Sequence, residues 1–233
     1  MQKISRQGPA LATALLTLVL MAWDLSSLDL TLAHWWGGSG GFPLQENWFL
    51  TTVAHDGARR AAWVVTVGLC VAAWWPPGWL KRLDFARRLQ LAATPLLAVS
   101  LVSLLKSFSA ISCPWGLAEF GGVAHYSAHW AQLLQLDGGS GGCFPAGHAA
   151  SGFAFVGGYF AFRETSPFIA RRWLASAVLA GLVLGAAQQM RGAHFMSHTL
   201  WTGWICWCVA WALDAVRVWA GQRGLMTPWS DPA

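Results

Sequence analysis

Trp173–Trp219 reads WLASAVLAGLVLGAAQQM, then RGAH, then FMSHTLWTGWICWCVAWALDAVRVW, and this stretch decides the fold. Two apolar runs, Trp173–Met190 and Phe195–Trp219, are parted by one short turn that carries an arginine, a glycine and a histidine. Each run approaches the ~20 residues that cross ~30 Å of hydrocarbon. Working outward, further apolar runs cover Pro9–Leu32, Ala61–Trp75, Leu89–Leu105 and His148–Phe162. A chain of 233 residues that is 55% hydrophobic and 11% charged, with 17 Trp, lies far from the soluble balance. The expectation is an all-α integral membrane protein with six transmembrane helices. It forms one domain over 1–233, with an outer cap at 33–60, a long outer loop at 106–147 and an outer turn at 188–198.

Charge sets the orientation. The first run follows MQKISRQG, which is like the basic start of a signal peptide, but no small-x-small cleavage site follows, so it reads as an uncleaved anchor. With the N-terminus cytoplasmic, six helices place Lys3, Arg6, Lys81, Arg82, Arg87, Arg88, Arg163, Arg171, Arg172, Arg217 and Arg223 inside. Only Arg59, Arg60, Lys106 and Arg191 fall outside. That asymmetry satisfies the positive-inside rule, with both termini inside. The net charge of +5 is thereby explained by topology and does not argue for nucleic acid.

The histidines fall the other way. His34, His55, His125, His129, His148, His194 and His198 all lie at or beyond the outer helix ends. Function is therefore expected at the outer membrane–water interface. Three outer segments bring basic or imidazole groups beside backbone-permissive residues. In KSFSAISCPW, Lys106 ends a helix and Pro114 stiffens the return. In FPAGHAASG, Pro145 and Gly147 shape a turn before a helix whose free amides suit a phosphate. In RGAHFMSH, His194 and His198 stand four apart. Two histidines, a lysine and a helix start make a phosphate site.

These segments, in this order, resemble the type-2 phosphatidic acid phosphatase superfamily, whose membrane members remove phosphate from lipids. Its first motif is Lys, six residues, Arg-Pro; here it is Lys106, six residues, Cys113-Pro114. Its Pro-Ser-Gly-His becomes Pro145, Ala146, Gly147, His148. Its Ser-Arg, five residues, His, three residues, Asp becomes Ala187, Gln188, five residues, His194, three residues, His198. The resemblance implies that His194 attacks phosphorus to give a phosphohistidine. It implies that His148 protonates the leaving oxygen and then activates water, and that Lys106 and the amides near Gly147 neutralise the phosphoryl oxygens. His198, in the place of the family Asp, is expected to accept from the His194 ring.

Both family arginines are missing, at Cys113 and Gln188. Arg191 and one of Arg59 or Arg60 are expected to replace them. Cys113 and Cys143 stand in outer loops near the motif prolines, and an oxidising compartment would join them. The mechanism needs no cofactor and no metal. His125 and His129 are also four apart, but no Glu follows the first His of either pair as a zinc hydrolase would want.

The reading is a lipid phosphatase of a bacterial inner (cytoplasmic) membrane, its site periplasmic. Its partners are the bilayer and a lipid phosphate substrate: undecaprenyl pyrophosphate, phosphatidylglycerol phosphate, phosphatidic acid or a lipid A phosphate. Lipid-to-lipid phosphotransfer and non-catalytic binding or transport of a lipid phosphate stay open alternatives, as does the oligomeric state. Asp24, Asp29 and Trp115 are further candidates to line the site.

Overall fold

The structure, a computed structural model, describes residues 7–127 and 137–224. It is built of α1 (Gln7–Asp24), α2 (Leu28–His34), α3 (Ala58–Trp74), α4 (Phe85–Ser107), α5 (Ala150–Phe153), α6 (Gly157–Phe162), α7 (Pro167–Met190) and α8 (Met196–Gln222). Among the described residues there is no strand, only two isolated bridges. The protein is all-helical and of membrane type.

By length and composition α4, α7 and α8 can cross a membrane, and α1 with α2 make a fourth span if the bent pair counts as one. Six full-length spans were expected, and the difference has local causes. The run Pro9–Leu32 is broken where the Ser26 hydroxyl donates to the Trp23 carbonyl (2.6 Å) and accepts from the Leu28 amide (3.2 Å). A serine that bonds nearby backbone competes with the helix ladder, and the two helices meet at a 65° bend. The run His148–Phe162 is divided by a 3-10 turn, Ala154–Val156, between α5 and α6. α3 has 17 residues.

Small residues let the helices approach. A Cβ on Gly152 would lie 2.2 Å from the backbone nitrogen of Gly181, so α5 and α7 touch backbone to backbone. Against this centre pack Phe153, Phe160, Ala98, Val102 and Cys206. α1 is tied to α8 by two indole bonds, from Trp204 to Thr17 Oγ1 and from Trp207 to Thr13 Oγ1, both 2.9 Å. Leu18, Val64 and Leu179, each more than 60% exposed, face outward with many other large apolar side chains. In water such a surface would drive aggregation; in a bilayer it is solvated.

Two polar clusters occupy opposite ends of α4. At its start, buried Asp214 of α8 accepts from Arg163 (2.5 Å), Arg217 (3.0 Å) and Gln90 (3.4 Å), while Arg87 pairs with Asp84 and Glu164. Asp84 also caps the helix by accepting from the Arg87 amide at 2.8 Å. At its other end stands Lys106. Nineteen residues from Arg87 to Lys106 at 1.5 Å each is about 28 Å, close to the thickness of the hydrocarbon layer.

Candidate active site

The site is assembled where three chain segments meet at the Lys106 end. The loop after α4 is pinned first. Cys113 and Cys143 are joined by a disulfide, their Cα atoms 5.2 Å apart, closing a separation of 30 residues. The Asp137 carboxylate accepts from the Ser112 amide and hydroxyl, both at 2.7 Å, and from the Gly139 amide at 3.1 Å. The Cys143 amide donates to the Ile111 carbonyl at 2.9 Å. His129 of the HYSAH pair lies outside the described residues, and among the described residues no group of His, Cys, Asp or Glu is gathered as metal ligands would be.

The second segment follows at once. The Phe144–Pro145 peptide is cis, and the turn to His148 is bonded to the first two turns of α8: Ala146 N donates to the His198 carbonyl (3.4 Å), and Thr202 Oγ1 donates to the Ala146 carbonyl (3.2 Å). A Cβ on Gly147 would lie 3.9 Å from Lys106 Cδ, so the lysine stem runs beside the glycine. The helix expected to begin here starts at Ala150 and lasts only four residues, so its dipole contributes less than a long helix would. Lys106 carries the positive charge instead.

In the third segment, α7 ends at Met190, Arg191 caps it, and the chain turns through Gly192 at φ +75°, which favours glycine. A Cβ there would also strike the Phe42 ring at 2.3 Å. His194 is buried at 4% exposure. Burial pushes its imidazole well below the ordinary range, with the charges of Lys106, His198 and His148 acting in the same sense and a hydrogen bond with the Cys143 backbone opposing them. The disulfide-anchored loop thus touches His194 directly. His148 is pushed down to about 3, first by burial and then by His55, Lys106, Arg59 and Arg191. Both imidazoles are neutral at pH 7, as a nucleophile and a resting base require.

The hydrogen bond expected from His194 to His198 is not made. His194 Nδ1 has no partner, and the two rings meet edge to face with centroids 5.8 Å apart. The reason is helical register: α8 begins at Met196 after an extended Phe195, so His194 precedes the helix and the four-residue spacing does not stack the rings. His198 packs instead against Phe144 and Phe195, each at 5.4 Å.

The arginines separate. Arg191, 9% exposed, donates from Nε to the Gln45 carbonyl (2.8 Å) and from Nη1 to Gln188 Oε1 (3.1 Å), with its guanidinium 6.0 Å from the Trp115 ring centre. Gln188 is 1% exposed and its Nε2 has no acceptor. Arg59, on the surface and 3.8 Å from Asp56, adds its charge at His148; Arg60 acts at Asp56.

Two contributors lie outside the motifs: His55, whose role no motif marked, and Asp29, one of the candidates to line the site. Residues Phe49–Gly57 form a π-helical stretch that runs straight into α3, and it lays the His55 ring on the His148 ring, centroids 3.5 Å apart. Asp29 of α2 accepts from the Ser197 amide (3.0 Å) and hydroxyl and from Trp23 Nε1 (2.9 Å), capping α8 beside His198. Both lie far from the motifs in the chain, and only their being outer polar residues marked them.

A helical bundle of membrane type that gathers a buried His194, a half-buried His148, a lysine and an arginine at one end defines the class of protein. The family comparison narrows the class. Residues 88–221, more than half of the chain, match the PAP2 superfamily, and the protein belongs to it. No curated protein and no solved structure matches the chain.

Proposed function

We propose that the protein is a membrane lipid phosphatase that cleaves a lipid phosphomonoester or pyrophosphate through a phosphohistidine at His194. The family supports phosphatase chemistry in general, and the observation that carries the reading further is the pair of imidazoles, His194 buried and His148 half-buried, both held toward the neutral form beside Lys106. His194 attacks phosphorus, and the bond to the leaving lipid oxygen breaks as His148 delivers a proton to it. Water then attacks the phosphohistidine, with His148 taking the proton back. Lys106, Arg191, Arg59, Gln188 Nε2 and the Gly147 amide stand for the phosphoryl oxygens, whose charge is spread in the transition state.

Burial first and the surrounding cations second keep His148 neutral; an arriving phosphate dianion offsets the cations, so its pKa rises when substrate is bound and the acid forms where it is used. His198 is assigned a packing role here, as its ring does not hold His194. Six membrane passages with both termini inside, and a site facing the periplasm of a bacterial inner membrane, agree with the charge asymmetry of the loops. The candidate substrates remain undecaprenyl pyrophosphate, phosphatidylglycerol phosphate, phosphatidic acid and lipid A phosphates.

The test is phosphate release by detergent-purified protein over that lipid panel, with His194→Ala as control. Release by the wild type alone supports the reading. Silence on every lipid leaves a binder of lipid phosphate, and loss of radiolabel to a second lipid instead of water assigns phosphotransfer.

A further inference from the structure

We propose that His55, carried by the π-helical stretch of the outer cap, is a positioning residue for the acid–base histidine His148. The inference rests on the phosphatase reading above and adds to it a residue from outside the family-matched segment, which begins at residue 88.

The geometry is specific. The two imidazole rings lie 3.5 Å apart centre to centre and 30° from parallel, closer than ordinary aromatic neighbours. His55 is itself oriented, since its Nδ1 lies 2.9 Å from Asp56 Oδ1, and Asp56 pairs in turn with Arg59 at 3.8 Å. A chain of three polar side chains on one cap segment therefore ends on the face of His148. The register of that segment depends on its π-helical turns, because each shifts the residues before it relative to α3. Such turns are rare in helices and recur at functional sites.

Two effects follow from the stack. The ring plane of His148 is held by a flat partner, so the imidazole meets the leaving oxygen in one orientation. The charge of His55, when protonated, opposes protonation of His148 in the empty site. The other groups that face the pair are named by their elements: Lys106 at the end of α4, Arg191 and His194 in the turn before α8, His198 in α8, and Asp56, Arg59 and Arg60 on the cap and the start of α3. All except Asp56 are cations or imidazoles. Removing the His55 imidazole from such a set is therefore felt at His148.

Three variants test this: His55→Ala removes the ring, His55→Phe keeps a flat ring without a titratable nitrogen, and Asp56→Asn loosens His55. His55 is partly exposed, so each is expected to fold, and a single peak on size exclusion checks it. On a lipid that wild type hydrolyses and His194→Ala does not, His55→Ala should lower kcat by about tenfold with KM little changed. His55→Phe should recover part of kcat, and Asp56→Asn should fall between wild type and His55→Ala. NMR of histidine-labelled protein should show the His148 titration midpoint rising by at least about half a pH unit in His55→Phe. Wild-type kcat in His55→Ala, or a His148 midpoint that stays where it was in His55→Phe, overturns the proposal. Should wild type release no phosphate from any lipid, the phosphatase reading falls by itself, and the NMR midpoint alone decides the coupling.

Discussion

Residues 88–221 and residues 7–87 build one site by different means. The first region matches the PAP2 superfamily and carries the reactive groups at the end of α4 and in the turns before α5 and α8, locked by a disulfide and by backbone bonds between loops. The second, outside that match, contributes no nucleophile. It adds His55 on the face of His148, the Gln45 carbonyl on Arg191 and the Asp29 carboxylate on the start of α8. Chemistry is held in the turns and helix ends of the matched segment, while orientation and charge are trimmed from a region with its own sequence. Where the family arginines are absent, at Cys113 and Gln188, the replacements are correspondingly local. Gln188 still faces Arg191, and Cys113 forms a covalent staple.

If that division holds, the largest effect belongs to the first region. His194→Ala should lower kcat/KM by a thousandfold or more, about 4 kcal/mol of transition-state stabilisation, in a single-substrate assay. Next comes the staple: Cys113→Ser, or reductant on wild type, should cost about 3 to 4 kcal/mol by the loop-entropy account, seen as a lower thermal midpoint in detergent. Of the second region, Asp29→Ala should cost about 1 to 3 kcal/mol, since it removes a cap and leaves the Ser197 hydroxyl buried without its acceptor. An Asp29→Ala effect as large as that of the staple would overturn the ranking of the two regions. Arg59→Ala should be smallest, about 0.2 to 1 kcal/mol in kcat/KM and fading with salt, because the side chain is 58% exposed.

Acid provides a check on both histidines together. Their pKa values in the fold lie below the unfolded value of about 6.5, so between the two values the unfolded chain binds more protons than the folded one. Stability is then full above about 6.5 and falls as pH drops from there toward the folded values. The thermal midpoint of wild type should decline from pH 7 to pH 5, and a His148→Gln, His194→Gln double variant should decline less.

Legibility followed the range of the physics. The pairing of Cys113 with Cys143 and the grouping of Lys106, Gly147, His148 and His194 were expected from local motifs, and the structure brings these residues together. The His198 contact was misread because spacing along a helix presumes that the helix has begun, and α8 begins two residues after His194. The length of the first apolar run was misread for a similar reason. Hydropathy does not register that the Ser26 hydroxyl competes for backbone, and the run bends by 65°. His55 had no motif at all, since its partner is 93 residues away and their contact depends on how the cap folds over the bundle.

The sequence by itself determined the membrane helices α4, α7 and α8, the order of the three polar segments and the sign of charge at each end, because apolar length, residue identity and loop composition are local quantities. Tertiary structure alone decided which polar residue of the N-terminal region meets which catalytic group, and where α8 starts relative to His194. Those are matters of rotation and register between packed helices, set by close contacts such as Gly152 on Gly181 and Phe42 under Gly192. A shift of one residue in either would turn a side chain away from the site.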